Sequence, residues 1–226
     1  MRGLLVTGTD TGVGKTVLSA ALLAAMAAAG EDVLAHKPAV TGLDEPSDSG
    51  WPPDHELLAQ LAGMRAEQVA PLRYGAPASP QLAAHLAGER IEPAQLLAAV
   101  PLGAHHAVIV EGVGGLLVPF ADGYSVRELA AQLALPVLIA ARAGLGTLNH
   151  TLLTLEAARA GGLDVRAVVL TPWPERPAQL ELYNRDAIAR LGRVEVATLE
   201  QVRAPRAREL ERAGARLPWR RWVGGP

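Results

Sequence analysis

Short apolar runs alternate with longer segments of helical period along this chain. Leu4–Thr7 reads as a buried strand, and Lys15–Ala29 as an Ala/Leu-rich helix closed by Gly30. Asp32–Lys37 is a second strand, stopped by Pro38. Gly42–Pro53 is dense in Gly, Asp, Ser and Pro and reads as loop. Asp54–Leu61 follows as a helix, Met64–Pro80 is irregular, and short helices are expected at Gln81–Ala87 and Pro93–Val100. Ala107–Val110 is an apolar run that opens through Glu111 into Gly112-Val113-Gly114-Gly115, the pattern of a buried strand feeding a loop. Val137–Ala141, Val165–Leu170 and Val194–Thr198 complete the expected strands. Val126–Leu133, Thr147–Ala160 and Ala178–Leu191 complete the helices, and the Arg-rich tail Gln201–Pro226 reads as helix and then irregular chain.

Strand–helix alternation of this kind demands crossover connections. It predicts an α/β fold with three layers: a mainly parallel central sheet and helices on both faces. One such domain accommodates all 226 residues. Ligands in these folds sit at the carboxyl ends of the strands.

Composition sharpens the picture. Half the residues are hydrophobic, enough for a sizeable core, which excludes a wholly disordered chain. A net charge of −2 argues against a nucleic-acid-binding surface. The longest apolar run, Ala20–Ala29, is well short of the roughly 20 residues of a membrane span, and Met1–Thr7 does not have the apolar region of a signal peptide. Cysteine is absent, which removes thiolate nucleophiles, zinc–thiolate sites and disulfides. These features suit a cytoplasmic protein. Of 21 basic residues only Lys15 and Lys37 are lysines. A chain that uses arginine wherever a positive charge suffices has kept two compact, titratable ammonium groups, so both are candidates for chemistry.

Gly8-Thr9-Asp10-Thr11-Gly12-Val13-Gly14-Lys15-Thr16 lies between the first strand and the first long helix. Phosphate binding needs this arrangement: glycines let backbone N–H groups turn toward the oxyanions, and the helix N-terminus adds its dipole. Lys15 reaches the outer phosphates and the Thr16 hydroxyl can ligate Mg²⁺. The strict phosphate-loop pattern has glycine where Thr9 stands, so this is a variant one residue longer. Lys37 ends the second strand, where a ligand is expected, and Thr41 follows in the adjoining loop. Taken alone, Asp54 reads as a helix N-cap. Glu111, ending a strand beside the phosphate loop, suits Mg²⁺ or its water shell. Gly144-Leu145-Gly146-Thr147 opens a helix in a manner that fits either an anion site or a simple cap. The six histidines, among them the adjacent His105 and His106, have no metal-binding spacing.

Together, Gly8–Thr16, His36-Lys37-Pro38 with Thr41-Gly42, Asp54, Val110–Gly115 and Gly146-Thr147-Leu148-Asn149-His150 resemble the dethiobiotin synthetase family over about residues 3–160. The resemblance implies a homodimeric ligase of the P-loop NTPase superfamily that closes the ureido ring of dethiobiotin from 7,8-diaminononanoate, CO2 and ATP. Its chemistry runs through a carbamate and a mixed carbamic–phosphoric anhydride. The resemblance also implies residue roles. Thr11, Gly12, Val13, Gly14, Lys15, Thr16 and Val17 meet the nucleotide, together with Asp54, Glu111, Gly112, Val113 and Gly114. Thr16, Asp54 and Glu111 surround Mg²⁺, and Lys37 is the active-site lysine, either as base or as charge. Thr41 contacts substrate. The Gly146, Thr147, Leu148 and Asn149 backbone clamps the substrate carboxylate across the dimer interface, with Tyr183 near that tail.

Two departures are visible. Gly12 stands where many relatives carry Glu, and Thr171-Pro172 stands where well-known members read adenine with Asn-Asp. Proline has no N–H to donate to a base, so base selectivity is open. Two other activities remain as alternatives. An ATP-dependent amidase conflicts with the missing cysteine of a glutaminase domain. A dimeric ATPase switch of the partitioning or positioning type conflicts with Thr9-Asp10-Thr11, which lacks the early lysine of that class.

Overall fold

A computed structural model describes residues 2–45, 50–103 and 106–223. Its elements, in chain order, begin with β1 (Arg2–Gly8), α1 (Lys15–Ala28), β2 (Val33–His36), β3 (Ala39–Val40), α2 (Asp54–Ala62), α3 (Ala66–Val69) and β4 (Leu72–Arg73). They continue with α4 (Pro80–Leu86), α5 (Pro93–Ala98), β5 (Ala107–Glu111), β6 (Pro119–Ala121), β7 (Tyr124–Ser125), α6 (Val126–Leu133) and β8 (Val137–Ala141). The last are α7 (Thr147–Ala160), β9 (Val165–Trp173), α8 (Gln179–Gly192), β10 (Glu195–Glu200), α9 (Ala207–Ala215) and α10 (Trp219–Val223). The central sheet has six strands in the order β10-β9-β8-β1-β5-β2, all parallel. This is the three-layer α/β architecture expected from the sequence.

Strand order fixes where a ligand can sit. From β1 the chain crosses to β2 and β5 on one side, then returns to β8 on the other side of β1. The connections therefore diverge at the carboxyl end of β1, which is the start of the Gly8–Thr16 loop. Alternate side chains of β1 feed the two faces. Leu4 and Val6 join a core with α1, α2 and α9, and Leu5 joins a second core with α6, α7 and α8. Helix α1 is apolar nearly all round and is buried accordingly, with the sheet on one side and α9 on the other. The contact with α9 is close: a Cβ at Gly214 would overlap the Ala21 carbonyl oxygen, so only glycine lets the two helices approach this far.

The structure corrects several local expectations. The Met64–Pro80 stretch contains α3 and β4, and β4 pairs in parallel with β3 directly after Lys37-Pro38. Two-residue strands have no periodicity to read, so the pair is invisible in the sequence. Pro53, not Asp54, occupies the cap position of α2, and Asp54 is its first helical residue. β9 continues past Leu170 to Trp173 and carries Thr171 and Pro172 with it. The tail folds into α9 and α10 with only a short break between them. His105 and part of the Gly42–Pro53 loop lie outside the described residues. No helix among the described residues is long and apolar enough to cross a membrane.

α6 is anchored by a capping box next to the loop that follows β5. Ser125 Oγ accepts from the Arg127 N–H, and the Ser125 N–H donates to Glu128 at 2.8 Å. Burial opposes ionisation of Glu128, but hydrogen bonds from the Ser125 hydroxyl and backbone and from Arg127 outweigh it and take its pKa down to about 2 from an ordinary 4.5. A depressed carboxyl pKa stabilises the fold above the unfolded-state value and loses that contribution as pH falls. Glu128→Gln should therefore cost about 1 kcal/mol at neutral pH. It should also flatten the decline of stability between about pH 4.5 and pH 2, as measured by urea unfolding across that range.

Candidate active site

The Gly8–Thr16 loop leaves β1 and turns into α1 through Gly14, whose φ of 92° lies in the left-handed region that glycine adopts without strain. A Cβ there would stand 2.9 Å from Thr171 Cγ2, so Thr171 packs directly against the phosphate loop. Lys15 is buried, and its ammonium donates to the Asp10 carbonyl at 2.9 Å, curling the side chain back over its own loop. Burial holds Lys15 below its ordinary pKa, the attraction of Glu111 offsetting only part of the effect. Asp10 Oδ1 accepts the Thr11 N–H at 2.7 Å and stiffens the turn.

Lys37 follows β2. Its backbone N–H donates to the Val69 carbonyl at 2.8 Å, which ties the end of the strand to α3. Its ammonium is only slightly exposed and lies between two carboxylates, 2.8 Å from Asp54 Oδ2 and 2.5 Å from Glu111 Oε1. Burial alone would lower the Lys37 pKa. The charges of Glu111 and Asp54, and the hydrogen bonds to both, outweigh it and hold the ammonium above its ordinary value. Asp54 is held below the usual carboxyl range by Lys37, against the opposing effect of burial. His36 next to it is buried, and burial takes its pKa down to about 4, so it is neutral at pH 7 and adds no competing charge.

Glu111 is fully buried at the end of β5, and the Thr16 hydroxyl donates to its Oε1 at 2.8 Å. Its other oxygen, Oε2, has no hydrogen-bond partner. A hydroxyl and two carboxylates, one of them with an orphaned buried oxygen, form an all-oxygen donor set that suits a hard divalent cation completed by phosphate and water. The protein alone supplies too few ligands for a metal cage: no cluster of three or more His, Cys, Asp or Glu is present among the described residues.

Apart from Glu111, which lies buried behind Lys37 and Thr16, these groups converge on one cavity of about 760 Å³. Thr11, Gly12, Gly14, Lys15, Thr16 and Val17 line it from the phosphate loop, and Lys37, Thr41 and Asp54 from across it. Val113 and Gly114 close a third side. Several expected residues lie elsewhere. Val13 is in the core, and the Gly112 N–H is committed to the Val6 carbonyl. Gly146, Thr147, Leu148 and Asn149 begin α7 away from the cavity, with Leu145 beside them 92% exposed. Tyr183 is exposed on α8, whose neighbouring Asn184 donates to the carbonyls of Ala143 and Gly144 and braces the approach to α7. Pro172 is exposed after Thr171, near a second cavity lined by Trp173, Arg185 and Thr198.

The sequence did not reveal Glu45, Pro77, Ala78, Ser79 or Val118, which also line the first cavity. Pairing of β4 with β3 carries the segment before α4 to its mouth, a tertiary effect with no local signal. It also did not reveal Arg142, which leaves β8 and donates to the Thr11 carbonyl at 3.2 Å.

Comparison with known proteins gives concordant findings. Residues 2–204 match a family model described as an AAA domain. The ATP-dependent dethiobiotin synthetase BioD of Anaeromyxobacter dehalogenans (strain 2CP-1) is 47% identical over 196 residues, covering 84% of this chain and 86% of that protein. The protein of the same name from Mycobacterium sp. (strain JLS) is 39% identical, covering 100% of this chain and 99% of its own. Among solved structures, a ParA family ATPase from Chlorobium tepidum TLS superposes with a TM-score of 0.55 at 12% identity, covering 95% of this chain and 96% of that one. The MinC:MinD cell division complex of Aquifex aeolicus gives 0.55 at 13%, covering 94% and 86%. At such identities these two speak for the fold alone.

The buried Lys37–Glu111 pair has a direct energetic test. Lys37→Met leaves the Glu111 carboxylate buried without its counter-charge and should cost about 3 kcal/mol of stability. Lys37→Met combined with Glu111→Gln should recover most of that loss. Urea unfolding of the two variants checks both expectations.

Proposed function

The chain belongs to the dethiobiotin synthetase family, and from that premise we propose that it closes the ureido ring of dethiobiotin from 7,8-diaminononanoate, CO2 and ATP. The observation that carries this function is the convergence of Lys15 and Lys37, the two lysines of the chain, on one cavity with Thr16 and Asp54, with the buried Glu111 bonded to Thr16 and Lys37 behind its wall. Ring closure gathers anions in one place: a triphosphate, a carbamate and a developing phosphoryl transition state. Fixed cations around a partly dry cavity are what such a reaction needs.

In the sequence of steps, one amine of the substrate captures CO2 as a carbamate. A carbamate oxygen attacks the γ-phosphorus and ADP departs. The second amine then attacks the carbamoyl carbon, the ring closes and phosphate leaves. Lys15 and the backbone N–H groups from Gly12 to Val17 hold the triphosphate. Lys37 faces the carbamate and the γ-phosphoryl group; its raised pKa favours the role of a fixed positive charge over that of a base. Thr41 lines the same cavity and meets the substrate. Val113 and Gly114 close the phosphate side, and Gly112 supports them from the sheet. Thr16, Asp54 and Glu111 would hold Mg²⁺, which when bound supplies charge to the phosphates.

The α7 N-terminus suits the distal carboxylate of the substrate because its first turn, from Gly146 to Asn149, has no side-chain cap and the adjoining Leu145 is bare. It lies outside its own cavity, which supports a homodimer in which each subunit lends this clamp, with Tyr183 alongside, to the other's substrate. Thr171 and Pro172 border the nucleoside end of the ATP site, Thr171 through its contact with Gly14. The use of ATP and the absence of cysteine suit the cytoplasm.

Purified protein supplied with diaminononanoate, bicarbonate, Mg²⁺ and ATP should yield dethiobiotin by mass spectrometry. Phosphate release that ignores the diamine would contradict the assignment. Lys37→Arg should bind nucleotide nearly as well as the parent yet lose about 100-fold or more in kcat, because the bulkier guanidinium cannot take the place of the ammonium between Asp54 and Glu111. Calorimetry and steady-state kinetics together check both halves.

A further inference from the structure

The charges in the cavity cancel before any ligand arrives. Lys37 is ion-paired with both Asp54 and Glu111, and Lys15 feels the same two carboxylates and Asp10. Asp54 and Glu111 thus match the two lysines, and Glu45 adds a further acidic group to the wall. A metal–triphosphate complex is still anionic, so the pocket needs a cation that its own carboxylates have not already neutralised.

Arg142 fits that need. It is the first residue after β8, the strand beside β1, so it emerges at the same carboxyl edge of the sheet as the phosphate loop. Among the described residues its guanidinium makes a single hydrogen bond, from Nη2 to the Thr11 carbonyl at 3.2 Å, and no ion pair. A Cβ built on Gly12 would stand 3.6 Å from that same nitrogen, so the guanidinium reaches the loop at Gly12 as well as at Thr11. Thr11 and Gly12 are both walls of the cavity. Among the described residues four of the five N–H donors of this exposed arginine are therefore uncommitted, beside the Thr11 and Gly12 walls of a site for phosphoryl oxygens.

We infer that Arg142 is a catalytic cation of the phosphoryl-transfer step, supplied in cis from the β8–α7 loop to the γ-phosphoryl oxygens. The inference rests on the synthetase assignment above. In that step the bond from the carbamate oxygen to phosphorus forms, and the bond from phosphorus to the β–γ bridging oxygen breaks. ADP leaves with the electron pair. Negative charge accumulates on the bridging and equatorial oxygens, and a planar guanidinium with two parallel N–H groups is shaped to receive it. Asn184 holds Ala143 and Gly144 by their carbonyls and so fixes the loop that presents Arg142.

The test compares binding of ADP and of a non-hydrolysable ATP analogue, each with Mg²⁺, by calorimetry, with kcat measured alongside. Arg142→Ala should weaken the triphosphate by about 10-fold, leave the diphosphate nearly unchanged and lower kcat by about 100-fold. Arg142→Lys should recover part of the triphosphate preference. Arg142→Gln, which retains a donor for the Thr11 carbonyl but no charge, should not. Equal weakening of both nucleotides in Arg142→Ala, or full rescue by Arg142→Gln, would show a mere loop brace and overturn the inference. So would an unchanged nucleotide preference with a raised KM for diaminononanoate, which would place the guanidinium on the substrate carboxylate. A parent enzyme that makes dethiobiotin alongside an unaffected Arg142→Ala would sink this inference alone. A parent that makes none would sink the synthetase assignment instead.

Discussion

A buried ammonium between two carboxylates organises this molecule. Lys37 just after β2, Glu111 at the end of β5 and Asp54 at the start of α2 meet where the sheet ends. Such a cluster is poor as a source of stability, since taking ions out of water costs about as much as their attraction returns. Its presence in an otherwise apolar interior points to function. The parallel sheet makes it possible: every strand of the central layer ends on the same side, so β1, β2, β5 and β8 all deliver their next residue to one rim. The phosphate loop, Lys37 and Arg142 are those next residues, and Glu111 is the last residue of β5.

The cluster also explains why two lysines persist in a chain that otherwise uses arginine. Lys37 approaches Glu111 within 2.5 Å while remaining almost wholly buried, a fit that suits a compact ammonium and not a planar guanidinium. Lys15 must curl over a tight turn to its own loop carbonyl, which needs a slender flexible stem. Arginine serves where bulk and exposure are tolerable, as at Arg142 and along the ion pairs of α9 and β10. The two lysines and the carboxylates of Asp54 and Glu111 already pair with one another at the pocket.

Much of this was legible in the sequence because burial and period carry long elements. β5, β8, α6 and α7 begin where their apolar patterns begin, and Gly8–Thr16 could be placed as a loop from a strand and a helix that flank it. The lysines stood out by scarcity. By the same logic Arg142 was hidden, one arginine among many with no local pattern to mark it. The β3–β4 pair and Ser79 were illegible for another reason: they reach the cavity only through a tertiary pairing between segments more than 30 residues apart. Asp54 looked like a cap because it opens a helix, but Pro53 holds that position and frees the carboxylate for Lys37.

The central claim is that both scarce ammonium groups neutralise one set of reacting oxyanions. A crystal structure with Mg²⁺, a non-hydrolysable ATP analogue and diaminononanoate tests it most directly. It should show the Lys15 and Lys37 nitrogens each within about 3.2 Å of phosphate or carbamate oxygens in one continuous ligand set. A structure in which Lys37 stays clamped between Asp54 and Glu111, with nucleotide and diamine bound elsewhere, would contradict it.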